Sequence, residues 1–227
     1  MDAWVKSKVE VPALVEKRRA QLINAAITLF SKRGYHVTTI REIAVAADVS
    51  VGLIYQYVQD KEDILFLALV EVLDSYKRQI PLALKNIEHP IKRLAAAVRA
   101  YCHVNDENVN ATVMAYRETK SLRKQRRALI QQMEIETNAL IAECIRECIA
   151  AGFFEPNVDI ELLTYQIVMF SHAWALKAWR FRAMMTVDQY VDRGLNLILM
   201  SVLSAKGKHV FIRQFPNHAQ VSLSAPR

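Results

Sequence analysis

Residues 38–58, TTIREIAVAADVSVGLIYQYV, decide how the rest of this 227-residue chain is read. Ile40, Ile43, Ala44 and Ala47 recur at helical spacing. Thr38 or Thr39 can cap that helix, and Glu42 stands three residues after Thr39, where a capping box requires it. A brief turn at Asp48 and Val49 follows, and Asp tolerates a left-handed backbone better than most residues. Ser50 then caps a second short helix that ends near Val58. The small Ala44 falls where the two helices must cross, and Ile43, Ala47, Val49 and Ile54 supply the apolar contacts of a helix-turn-helix.

With that core fixed, the second helix presents Val51, Gly52, Leu53, Tyr55, Gln56 and Tyr57 to a major groove. Gln56 can pair with adenine through two bonds, the tyrosine and Ser50 hydroxyls can reach phosphates, and Gly52 lets the backbone approach closely. The i, i+2 spacing of Tyr55 and Tyr57 requires at least one of them to point outward. Lys61 suits a phosphate, and Arg41 either meets phosphate or merely pairs with Glu42 or solvent.

Working outward, apolar spacing predicts a helix over 15–32, closed by Gly34. Downstream, a long helix capped by Asp60 stops or kinks at Pro81, and Pro90 opens another, reaching about residue 101. The polar stretch 103–110 reads as a loop and is followed by a short helix through Met114 and Tyr116. Helices over 122–151, closed by Gly152, 159–181 and 187–203 complete an all-α fold of about nine helices. The expected division is a DNA-binding domain at 14–61, a ligand-binding and dimerisation domain at 62–204, and a flexible basic tail at 205–227.

Five glycines and six prolines are few for this length, which agrees with an all-α chain. The net charge of +7 divides as +3 over 1–61, zero over 62–157 and +4 over 158–227, so basicity sits at the two ends and suits a polyanionic partner. Charges run throughout the first residues and no apolar core with a small-residue cleavage site follows, so a cytoplasmic protein is expected. The most apolar stretch, 160–178, holds Glu161, Gln166, Ser171, His172 and Lys177, too many polar groups for a membrane span. Cys102, Cys144 and Cys148 do not make a disulfide framework in such a protein. Cys144 and Cys148 share a helix face without His or acid partners, so no metal site is expected, and no cofactor either.

Over residues 17–65 the sequence resembles the TetR family of bacterial transcriptional regulators. The stretch KRRAQLINAAITLFSKRGYHVTTIREIAVAADVSVGLIYQYVQDKEDIL carries the family's Gly-Tyr, Thr-Thr, Ile-Ala, Val-Ser, Gly and Lys-Glu positions in order. The resemblance implies DNA contacts by Tyr55, Gln56, Tyr57 and Lys61, with Thr39, Val51 and Gly52 in support. Leu53 stands where the family often has a phosphate-contacting Thr, and Val58 replaces the usual Phe. The resemblance also implies a homodimer on a palindromic double-stranded DNA operator, and apolar residues of the last helices, including Leu163, Ile167, Trp179, Val191, Leu195, Ile198 and Leu199, fit a shared interface.

The run MAYRETKSLRKQRRAL adds a second clue. Arg117, Lys120, Arg123, Lys124, Arg126 and Arg127 are offset only by Glu118, and cations are disfavoured at a helix start. An anionic effector would relieve that repulsion. The stretch is similar to the branch of the family that binds fatty or aromatic acyl-CoA thioesters, which implies an apolar pocket; Met114, Tyr116, Met133, Phe170 and Trp174 are candidates for it. No nucleophile with its base, Gly-rich phosphate loop or metal spacing suggests an enzyme. A drug-sensing regulator of an efflux pump and a ligand-independent DNA binder are the alternatives, the latter opposed by the two-thirds of the chain outside the DNA-binding unit.

Overall fold

The structure is a computed structural model that describes residues 5–214. Among these residues eleven α-helices form, rather than about nine: α1 Pro12–Arg33, α2 Ile40–Ala46, α3 Val51–Tyr57, α4 Lys61–Leu84, α5 Pro90–Glu107, α6 Val109–Glu118, α7 Lys124–Ala150, α8 Ile160–Leu176, α9 Ala178–Phe181, α10 Val187–Leu199 and α11 Ala205–Gln214. A 3-10 turn, Thr119–Ser121, joins α6 to α7, and an antiparallel bridge pairs Phe154 with Leu203.

Three departures from the sequence reading have physical causes. Pro81 lies inside α4 without stopping it; the helix ends three residues later, at Leu84, so the missing N–H costs one bond in the final turn. The polar residues expected to form a loop continue α5 to Glu107, because they find tertiary partners. Asn105 is buried, donating to the Tyr101 carbonyl at 3.0 Å and accepting from the Tyr76 hydroxyl at 2.8 Å, while Asp106 accepts from Trp174 Nε1 at 2.8 Å and from Arg182 at 2.6 Å. The segment from Ala205 to Gln214, read as flexible tail, is helical: Phe211 is buried and Lys206 lies 4.7 Å over the Phe153 ring. A side chain at Gly207 would strike the Phe153 carbonyl oxygen, so only glycine lets α11 come this close. Residues 215–227 of that expected tail lie outside the described residues.

The chain divides into two compact units. The first contains the residues up to Ser75 together with Asn108–Glu134. Its core is built from Leu22, Ile23, Ala26 and Phe30 of α1, Ile43 and Ala44 of α2, Ile54 of α3 and the buried start of α4. The second contains Tyr76–Glu107 and the described chain from Ile135 onward. There α5, α8 and α10 pack through Leu94, Val98, Leu163, Ile167, Val191 and Leu195, all buried. Gly194 accommodates the Phe170 ring, which stacks on Tyr190 with centroids 4.4 Å apart. The three cysteines are free and buried.

Candidate nucleic-acid interface

The helix-turn-helix is set by short-range bonds. Thr39 Oγ1 accepts from the Glu42 amide at 3.2 Å while Glu42 Oε2 accepts from the Thr39 amide at 2.8 Å, closing the capping box. The carboxylate accepts from the Thr39 amide and also from the Thr39 hydroxyl, at 2.9 Å, and these two bonds hold the Glu42 carboxyl below its usual range. Asp48 adopts φ 51°, the left-handed turn expected of it. Ser50 Oγ accepts from the Leu53 amide at 3.2 Å and opens α3.

On this frame Thr39, Arg41, Ser50, Gly52, Tyr55 and Gln56 are exposed and Val51 is half-buried. Tyr55 is 43% exposed. Glu42 is engaged by Arg33 at 2.8 Å as well as by Thr39, and Arg41, which competed for it in the sequence reading, faces solvent.

Two of the expected DNA contacts sit elsewhere. Tyr57 is only 3% exposed, so of the tyrosine pair Tyr55 is outward and Tyr57 belongs to the core. The physical reason is the 3.6-residue period: Tyr57 follows Ile54 by three and shares its buried face. Lys61 is likewise withdrawn. Its Nζ donates to the carbonyls of Tyr35 at 2.8 Å, His36 at 3.2 Å and Thr38 at 2.8 Å, and lies 4.4 Å over the Tyr35 ring. An ammonium has three protons, and all three are committed to the turn between α1 and α2. Burial lowers its pKa.

The N-terminal arm was invisible to sequence reasoning. Val5 is buried, and its carbonyl accepts from the buried Arg19 at 2.6 Å, while Arg19 Nε donates to the Tyr57 carbonyl at 3.2 Å. The Lys8 amide donates to the Gln56 carbonyl at 2.8 Å. These donors satisfy carbonyls left open at the end of α3, a need that no pattern of residue types announces.

The basic run lies in the same unit as the helix-turn-helix, and its charges are less bare than the sequence suggests. Arg123 pairs with Asp60 at 3.1 Å and with Glu62 at 2.6 Å, and Arg126 pairs with Asp63 and lies 3.8 Å from Glu62. Three acids at and just before the start of α4, over sixty residues away in sequence, thus neutralise two of the cations. Arg117, Lys120 and Lys124 are exposed and Arg127 is half-buried, with no ion pair to any of the four among the described residues. Glu118 instead turns inward, accepting from the Tyr35 amide at 3.2 Å and the Ser121 hydroxyl at 3.2 Å, and ties α6 to the end of α1.

The five apolar pocket candidates are divided between the units: Met114, Tyr116 and Met133 in the first, Phe170 and Trp174 in the second. Met114 is fully buried whereas Tyr116 is 47% exposed. Trp174 is buried against Tyr190, with centroids 5.2 Å apart. Most of the apolar residues expected at a dimer interface, including Leu163, Ile167, Val191, Leu195 and Leu199, are buried within the chain's own second unit. Of the expected residues Trp179 is exposed, and so are neighbours of the buried ones: Leu162, Tyr165 and Met169 on α8, Leu197 on α10, and Met200 just beyond it.

Two short capped helices, a left-handed turn and an exposed polar-aromatic face on the second helix define a helix-turn-helix DNA-binding protein. The family model described as bacterial regulatory proteins, tetR family, matches residues 22–68, and one described as tetracyclin repressor-like, C-terminal domain, matches 88–177. The chain is 51% identical to the HTH-type transcriptional regulator HbdR of Aromatoleum sp. (strain CIB), over 98% of this chain and 96% of that one. It belongs to the TetR family of transcriptional regulators. Among solved structures, a regulatory protein in the tetR family from Rhodococcus RHA1 aligns with TM-score 0.74 and 27% identity, covering 82% of this chain and 97% of that one. AibR in complex with isovaleryl coenzyme A and operator DNA has the same fold, with TM-score 0.68, 22% identity and coverage of 79% and 97%. No helix among the described residues is long and apolar enough to cross a membrane.

Proposed function

We propose that this regulator is a repressor that holds a palindromic operator as a homodimer and releases it when a small effector, a fatty or aromatic acyl-CoA thioester, binds. The observation that carries the reading is the membership of α6 and the start of α7 in the same compact unit as the helix-turn-helix. Glu118 fastens α6 to the backbone after α1, and Arg123 and Arg126 fasten the start of α7 to the acids that open α4. An effector that shifts α6 or α7 therefore moves the elements that set α3, and a two-state change in the spacing of paired recognition helices lowers operator affinity.

Tyr55, Gln56, Gly52, Ser50, Thr39 and Arg41 are the DNA-facing set, with Val51 beside them; a two-fold pair of such heads reads half-sites about one helical turn apart. The stripe Leu162, Tyr165 and Met169, with Leu197 and Met200, supplies the apolar surface for the second copy. Arg117, Lys120, Lys124 and Arg127 are the cations left to meet the phosphates of coenzyme A. AibR, which carries this fold, was solved with both an acyl-CoA and operator DNA, and this supports the pairing of inputs.

The test is a gel shift with the protein's own upstream region. Release by acyl-CoAs at micromolar concentration, weakened when Lys120 and Lys124 are replaced by Ala, is the expected result. Retention of the DNA at every thioester, or release only by lipophilic drugs, refutes the acyl-CoA reading and favours a drug sensor.

A further inference from the structure

The chain ahead of the helix-turn-helix brackets α3 with two positioned cations that lie outside its base-reading face. Residues 5–11 form an arm on the end of α3: the Ser7 hydroxyl and the Lys8 amide both donate to the Gln56 carbonyl, at 3.2 and 2.8 Å. Val5 is buried, Ser7 and Val9 are half-buried, and Lys8 between them is exposed, so the arm is fixed along one side and its lysine stands on the other.

Beside the start of α3 the cation is Arg18. Its guanidinium donates to Gln21 Oε1 at 2.9 Å, and Gln21 Nε2 donates to the Ala47 carbonyl at 2.5 Å, so the end of α2 fixes where Arg18 stands. Arg18 is half-buried and borders a recess with Val49, Leu53 and Tyr57. Neither Arg18 nor Lys8 has an ion pair among the described residues, and the guanidinium keeps most of its N–H donors for another partner.

α3 has seven residues and so is about 10 Å long, while the major groove is about 12 Å wide. Cations beside both ends of such a helix stand at the groove wall, where the phosphates run. Of the residues proposed above to face DNA only Arg41 is cationic, because Lys61 is committed to carbonyls of the α1–α2 turn. Cations meeting phosphates supply much of the affinity of an operator complex, so a head with Arg41 alone is short of them. We infer that Arg18 and Lys8 are phosphate contacts, one beside each end of α3, and hold the DNA backbone along the groove that Tyr55 and Gln56 enter. This rests on the DNA-facing surface of α3 proposed above and adds the contacts that position it.

The test measures operator binding by the full-length protein, by fluorescence anisotropy across about 50–200 mM salt, for Lys8→Gln, Arg18→Gln and, as the control, Lys6→Gln. Lys6 is an exposed cation of the same arm, but it borders a recess with Gln59, Asp63 and Arg126. K8Q and R18Q should each lower the slope of log K against log salt by about one unit for each bound head, with the loss of affinity largest at low salt, while K6Q keeps the slope. Arg18→Lys, which returns the charge, should restore it. Tm should stay within about 2 °C of wild type in every variant, as for other surface substitutions. A wild-type slope in K8Q or R18Q, or an equal fall in K6Q, overturns the proposal; weaker binding with an unmoved slope and a Tm lower by several degrees makes the residue structural. If Tyr55→Ala binds as tightly as wild type while K8Q and R18Q lose slope, the α3 face fails and the phosphate contacts stand. If Tyr55→Ala weakens binding while K8Q and R18Q keep the slope, the phosphate contacts fail and the face stands.

Discussion

Replacing Lys61 by Met separates two roles that this residue can have. As a phosphate contact, Lys61 would contribute about one unit to the salt dependence of operator binding, and its loss would flatten the log K against log salt plot by that amount. As the structure has it, Nζ gives all three protons to the carbonyls of Tyr35, His36 and Thr38 and sits over the Tyr35 ring. Methionine keeps the stem and removes the bonds. Each hydrogen bond to a charged group contributes about 1.5–3 kcal/mol when buried, but this site is half-exposed and water can replace part of the loss, so the change totals roughly 1–3 kcal/mol. For a chain of this size that is a fall in Tm of about 2–12 °C. The assay is a pair of measurements on one preparation: thermal unfolding, and operator binding by fluorescence anisotropy across about 50–200 mM salt. The structure requires a lower Tm, weaker binding at every salt concentration through a loosened α1–α2 turn, and an unchanged slope. A slope reduced by one with Tm unmoved would refute the assignment and return Lys61 to the DNA.

Tyr55→Ala should weaken operator binding about tenfold with little change in Tm, and Gln56→Ala should relax discrimination at one base pair, both checked on operator variants in the same binding assay. Burial lowers His172 from 6.5 to about 4, so the unfolded chain takes up a proton that the folded one resists; stability is full above about pH 6.5 and is lost as pH falls toward 4. At pH 5 the loss is about 2 kcal/mol, and His172→Gln should shrink the Tm difference between pH 7 and pH 5; an equal difference in both proteins refutes it. Gly207→Ala should dislodge α11 from Phe153, and the readout is faster tryptic cleavage after Lys206 and Lys208 with operator affinity unchanged.

What the sequence determined by itself is the reading head. The capping box of Thr39 and Glu42, the left-handed Asp48 and the Ser50 cap are bonds and torsions completed within three or four residues, so local residue types specify them. Helix existence was legible for the same reason, wherever a single apolar face recurs. Only the tertiary structure decided which polar groups were already spoken for. Lys61 reaches carbonyls over twenty residues back, and Arg123 and Arg126 meet acids over sixty residues away. The polar end of α5 stays helical because Tyr76, Trp174 and Arg182 bond to it from distant parts of the chain. Long-range partners of this kind are chosen by packing, and residue spacing carries no record of them. The apolar residues of α8 and α10 make the same point: the spacing identified the helices, but burial assigned Leu163 and Leu195 to the chain's own core and left Leu162 and Leu197 exposed.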